Sequence, residues 1–185
     1  LAVWIEQFGP DSSWAKRNAG KPEMVTENSN LQETTLRNHT LRLHQTAVSV
    51  KTDYTRQVAA DSYKMYLTYF KNSPKHSEMR FFLAELYFDM REYEKAAAQY
   101  QWVAENDKKS PYYEKSVINN VLAMEKLLPT SQKLEENRKA AKDAKVPYSP
   151  AVKKFEQACL LYLQAFPKGE KAPEIRKRSG DLYYA

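Results

Sequence analysis

From residue 30 onward, apolar residues return every three or four positions, with polar and charged residues between them. That spacing lays them along one face of an α-helix. Leu31, Leu36, Leu41, Leu43, Ala47, Val48 and Val50 make a first stripe; Val58, Ala59, Tyr63, Tyr66, Leu67 and Phe70 make a second. Asn30 is placed to cap the first helix, with Glu33 three residues on as its capping-box partner. "KNSP" at 71–74 ends the second, because Pro74 cannot continue the hydrogen-bond ladder. A third helix is predicted from Ser77, with Phe81, Leu83, Ala84, Leu86 and Tyr87 on its apolar side. A fourth covers "EKAAAQYQWVAEN", with Ala96, Ala97, Tyr100, Val103 and Ala104 facing one way. Further helices are predicted over residues 112–128 and 151–166, and a last one from near Pro173.

Two stretches depart from this rhythm. Residues 1–30 set Trp4, Ile5, Phe8 and Trp14 among Gly9, Pro10, Gly20 and Pro22, which predicts a short helix or turn and then an extended segment. Residues 129–150 contain "TSQKLEENRKAAKDAK", which favours helix but offers no broad apolar face to bury. They read as a polar insertion. The whole chain holds only 4 glycines and few β-branched runs, so the expected class is all-α.

The chain also repeats itself. "YKMYLTYFKNSPKHSEMRFFLAELYF" from Tyr63 and "CLLYLQAFPKGEKAPEIRKRSGDLYY" from Cys159 superpose with an offset of 96 residues. Tyr66 then meets Tyr162, Phe70 meets Phe166, Arg80 meets Arg176 and Leu86 meets Leu182. Between them, Leu83, Ala84, Tyr87, Ala96 and Tyr100 form a small–Tyr–turn–Ala–aromatic pattern. This resembles the tetratricopeptide repeat (TPR), whose period is 34 residues. Arg80 stands where that repeat has Trp, and Lys108 where it closes with Pro. A step of 34 sets Tyr100 against Tyr66 and Lys108 against Pro74, and one insertion over 129–150 restores the 96-residue register. "YLTYFKNSP" and "YLQAFPKGEKAPEIR" are similar to the degenerate repeats of bacterial cell-envelope TPR proteins, such as the outer-membrane assembly lipoprotein.

The resemblance implies a right-handed TPR-like helical solenoid of stacked antiparallel helix pairs. Residues 31–128 would hold repeats one and two and the first helix of the third; residues 151–185 would hold its second helix and the start of a fourth. It further implies a non-catalytic protein–protein interaction scaffold whose first helices line a groove for a partner peptide or protein. Carried onto this chain, the groove positions fall on His44, Lys51 and Tyr54 in the first repeat. In the second they fall on Glu78, Phe81, Glu85, Phe88 and Asp89. The third offers Tyr112, Lys115 and Asn119, and the fourth Glu174, Lys177, Asp181 and Tyr184. Aromatic anchors flanked by charge suit an extended or helical peptide. The family setting implied is the periplasm or cell envelope, in an assembly or motility complex, with the cytoplasm as the alternative compartment, and no cofactor. A repeat cut within a helix would leave Leu182, Tyr183 and Tyr184 to be covered by further repeats of the same chain or by a neighbour.

Charge and chemistry change this picture little. Net charge is +6, but the cations are interleaved with acids, as at Lys168, Glu170, Lys171, Glu174, Arg176, Lys177 and Arg178. RNA binding by a helical repeat is the alternative reading, yet carboxylates at Glu78, Glu85, Asp89, Glu174 and Asp181 would repel phosphates. The single cysteine, Cys159, falls on an apolar helix face and reads as core. His39 and His44, five apart, lie on different sides of a helix and make no metal pair. No HExxH, GxSxG, phosphate loop or GxGxxG occurs, so no enzymatic activity and no small-molecule substrate are expected.

Overall fold

A computed structural model of the chain describes residues 1–130 and 149–181. Among them every regular element is an α-helix. In order these are α1 (Ala2–Phe8), α2 (Ser13–Arg17), α3 (Pro22–Val50), α4 (Asp53–Tyr69), α5 (His76–Asp89), α6 (Tyr93–Asn106), α7 (Tyr113–Glu125), α8 (Pro150–Ala165) and α9 (Ala172–Asp181). They divide into two compact units, Leu1–Met90 and Arg91–Ala185. Most of the expected polar insertion, and the C-terminal Leu182, Tyr183 and Tyr184, lie outside the described residues.

In the first unit α3 packs on α4 and α4 on α5, while α1 sits against α2 and α3. The expected start of α3 at Asn30 is corrected. The helix begins at Pro22 and runs 29 residues to Val50. Proline suits a first helical turn, and no glycine or proline interrupts the chain from Glu23 to Val50. The early turns of α3 hold α1 in place: Asn28 Nδ2 donates to the Phe8 carbonyl at 2.6 Å and Gln32 Nε2 to the Trp4 carbonyl at 3.1 Å. Ile5 is thereby buried. Leu36, Ala47, Ala59, Ala60, Tyr63, Tyr66, Leu83 and Ala84 form the core of this unit. Within it Ser62 donates to Thr40 Oγ1 at 2.7 Å, and Thr40 in turn donates to the Leu36 carbonyl at 2.8 Å, so both hydroxyls are satisfied. Helix α5 starts at His76, and the expected cap Ser77 is instead a buried residue in its first turn.

In the second unit α6 packs on α7, α7 on α8 and α8 on α9. Ala96, Ala97, Tyr100, Val103, Val117, Val121, Phe155, Cys159 and Tyr162 are its core. Ser149 caps α8 by accepting from Val152 N at 3.3 Å, with Pro150 following at the first helical position. Burial pushes the Cys159 thiol up to about 12, with the Glu125 carboxylate adding to it.

One turn recurs three times, over residues 70–75, 107–112 and 166–171. Each helix is closed by an amide, of Phe70, Asp107 or Phe166, bonded to the carbonyl four residues back. The amides of Ser73, Ser110 and Gly169 then bond those same three residues' carbonyls, and the amides of His76, Tyr113 and Ala172 bond the carbonyls of Ser73, Ser110 and Gly169. The first two turns are 37 residues apart, which sets Pro111 against Pro74 and Tyr100 against Tyr63. The 34-residue step expected from the sequence is therefore three short. The turn itself accounts for the difference: helices of 14 residues, α5 and α6, are followed by six residues before α7. The first and third turns are 96 residues apart, as the self-similarity of the sequence requires.

Candidate functional site

Helices α3 and α5 flank α4 in the first unit, and three side chains meet across them. His44 of α3 shares a hydrogen bond of 2.9 Å with the Tyr63 hydroxyl of α4. Its ring also stands edge-on to Phe82 of α5, with centroids 6.2 Å apart. Around His44 lie the carboxylates of Glu85 and Asp89, and Glu78 acts on Tyr63. Glu78 is itself paired with Lys75 at 3.0 Å. Glu78, Phe82, Glu85 and Asp89 follow one another at steps of four, three and four, the spacing of a single helical face.

Burial dominates the charge state of this cluster. It holds His44 below the ordinary histidine value, although Asp89 and Glu85 pull the other way. The Tyr63 hydroxyl is raised well above the usual phenol range, first by burial and then by Glu78. A neutral imidazole and a protonated phenol thus sit beside carboxylates. Such a face attracts hydrogen-bond donors and cations.

The expected groove residues are distributed unevenly. Of them, Glu85 and Asp89 act electrostatically on His44. Phe81 does not offer its ring: it is 6% exposed, and its neighbour Phe82 is the ring at His44. Successive helical residues point about 100° apart, so the choice between two adjacent phenylalanines turned on a register the stripe left open. Phe88 is half-buried and Asp89 exposed. Tyr54 was expected on the first helix of its pair; the structure places it, 78% exposed, in the first turn of α4. Lys51 is the left-handed residue that closes α3, with φ of 58°. In the second unit Tyr112 is the half-buried cap of α7, with Lys115 exposed and Asn119 half-buried further along it. Lys177 is exposed on α9, where Glu174 pairs with Arg178 at 2.6 Å. Tyr184 and the side chain of Asp181 lie outside the described residues.

A second polar cluster was not foreseen. Glu33 accepts from the Tyr66 hydroxyl, from Ser73 Oγ at 3.3 Å and from Arg37 Nε at 3.2 Å. With Asn30, Lys71 and Pro74, the residues Glu33, Arg37 and Ser73 border a hollow of about 550 Å³ beside the first recurring turn. Burial, with the Glu33 carboxylate second, raises the Tyr66 hydroxyl far above its usual value. Tyr66 and Ser73 are seven apart and Glu33 lies a helix away, so only the folded turn joins them. Among the described residues no three His, Cys, Asp or Glu side chains gather in a way that could hold a metal ion. Compared with protein-family models and with curated proteins, the chain matches none.

Proposed function

We propose that this chain is a non-catalytic scaffold, a right-handed TPR-like solenoid that binds another protein or peptide along its first-helix face. The observation that carries the reading is the contact of His44 with Tyr63 and Phe82, within the electrostatic reach of the Glu85 and Asp89 carboxylates. His44 comes from α3 and the two carboxylates from α5, with α4 between them in the chain, and the repeat reading assigns all three to one groove. Phe82 supplies the aromatic contact there, and the acidic edge favours a partner segment carrying basic residues. The same carboxylates weigh against an RNA phosphate backbone. The similarity of the turn sequences to bacterial envelope repeats suggests an envelope assembly or motility complex as the setting.

The test is a pair of charge reversals on that face, at the half-buried Glu85 and the exposed Asp89, Glu85→Lys with Asp89→Lys. The full-length protein and the variant are crosslinked briefly in the native cell and the captured proteins compared. We expect a specific partner that the variant loses while its circular dichroism shows that it remains folded. An identical partner set in both samples overturns the groove. Recovery of nucleic acid alone, or of no specific protein, overturns the scaffold.

A further inference from the structure

The second unit carries a groove of its own, and it does not depend on the face just described. Helices α6 and α8 form its walls and α7 its floor, enclosing about 510 Å³. At the floor, Asn120 is only 2% exposed, yet its Oδ1 finds no hydrogen-bond partner among the described residues. A buried amide oxygen left this way has lost its hydration without compensation, so an unmet acceptor calls for a donor. Ala98, Met124 and Ala158 supply apolar surface beside it. At one end Lys154 Nζ bridges to Glu94 at 2.6 Å. At the other, Glu105 accepts from Gln101 Nε2 at 2.7 Å and has no opposing cation among the described residues. With two carboxylates and one ammonium, the groove is acidic overall.

We infer that this groove receives an extended segment of a partner protein and binds an arginine of that segment at Asn120 and Glu105. Three features select this occupant. The α6 residues that line the groove run from Glu94 to Glu105, three helical turns or about 16 Å, which matches roughly five extended residues and far exceeds one small cation. The deepest unpaired polar atom is an acceptor, and guanidinium carries five donors and no acceptor. The apolar wall accommodates the methylene stem of a long cationic side chain.

The probe is an acetylated, amidated five-residue peptide with arginine at its centre and glycine and serine around it. It is titrated into the full ¹⁵N-labelled chain beside two controls, with glutamate or norleucine in place of arginine. We expect saturable shifts of the Asn120 side-chain amide pair and of the Ala98 and Ala158 backbone amides with the arginine peptide alone. Glu105→Gln should weaken its binding by about three- to five-fold, the effect of one partly exposed charge. That variant leaves the apolar core untouched and remains informative where Asn120→Leu fails to fold. The inference is overturned if nothing saturates by about 10 mM, a floor set by a Kd in the millimolar range. It is equally overturned if the glutamate peptide gives the same shifts, or if Glu105→Gln leaves the affinity unchanged. A slowly exchanging water at Asn120 that the arginine peptide does not displace would show that the amide oxygen is satisfied by solvent, and also overturns it. Shifts confined to the His44 face would report the other groove and refute this one.

Discussion

Burial, rather than neighbouring charge, decides the protonation of the two perturbed histidines in the first unit. His44 is lowered chiefly by burial against the pull of Asp89 and Glu85. His76 is lowered by burial and then by Arg80, with the Leu67 carbonyl opposing. Both folded values lie below the unfolded value of about 6.5, so as the pH falls the unfolded chain takes up protons first. Their contribution to stability is complete above about pH 6.5 and is lost as the pH falls toward the lowered folded values. Urea midpoints should therefore drop between pH 7.5 and pH 5.5, and His44→Asn should show a smaller drop. A midpoint constant over that range would contradict the assignment. Tyr66 offers a second check. Its hydroxyl donates within the Glu33 and Ser73 cluster, so Tyr66→Phe removes a charge-assisted bond and should cost about 1–3 kcal/mol in urea unfolding. A change below about 0.3 kcal/mol would mean the cluster contributes nothing, since that is the scale of a neutral surface substitution.

Among the helices and turns, the recurring six-residue turn explains a glycine that the helical stripes leave unexplained. In the first turn Ser73 Oγ accepts from the Tyr66 hydroxyl at 2.8 Å. In the third turn the corresponding positions are Gly169 and Tyr162, and a Cβ on Gly169 would lie 2.5 Å from the Tyr162 hydroxyl oxygen and 3.0 Å from Phe166 Cβ. The tyrosine oxygen occupies the space that a side chain would need. Gly169→Ala should cost about 1–3 kcal/mol by overpacking, and the double change with Tyr162→Phe should recover part of it. Equal stability of Gly169→Ala and the parent would refute this packing. The apolar stripes were sufficient to locate the helices from α4 to α9, because the 3.6-residue period is strong there. They misplaced the start of α3, since capping at Asn30 was inferred from residue type while Pro22 offered an equally good start eight residues earlier. The 37-residue spacing stayed hidden because Tyr63 and Tyr66 both follow the helical stripe, and either can be set against Tyr100. Only the bonds of the turn decide between them.

For the whole molecule, composition and periodicity carried the all-α class and the packing of neighbouring helices, both of which depend on many residues at once. Site geometry depends on single residues and was less legible. Glu78, Glu85 and Asp89 could be read onto one face of α5, because steps of three and four keep to one side of a helix. Phe81 and Phe82 could not be told apart without the contacts of their own helix. Asn120 gave no signal, because an asparagine in a helix acquires meaning only once its burial and missing partner are known. The boundary between the compact units, at Met90 and Arg91, falls in the short turn joining the two helices that the repeat pattern pairs. The scaffold reading therefore rests most heavily on the acidic face of the first unit. The most direct measurement is site-specific photocrosslinking of the full-length protein in its native cell, with the reactive side chain placed in turn at positions 85, 89, 57 and 64. Gln57 and Lys64 are exposed on α4, outside the stripe of Glu78, Phe82, Glu85 and Asp89. We expect one and the same partner to be captured from positions 85 and 89 and not from 57 and 64. Capture from 57 and 64 with none from 85 and 89 would contradict the groove.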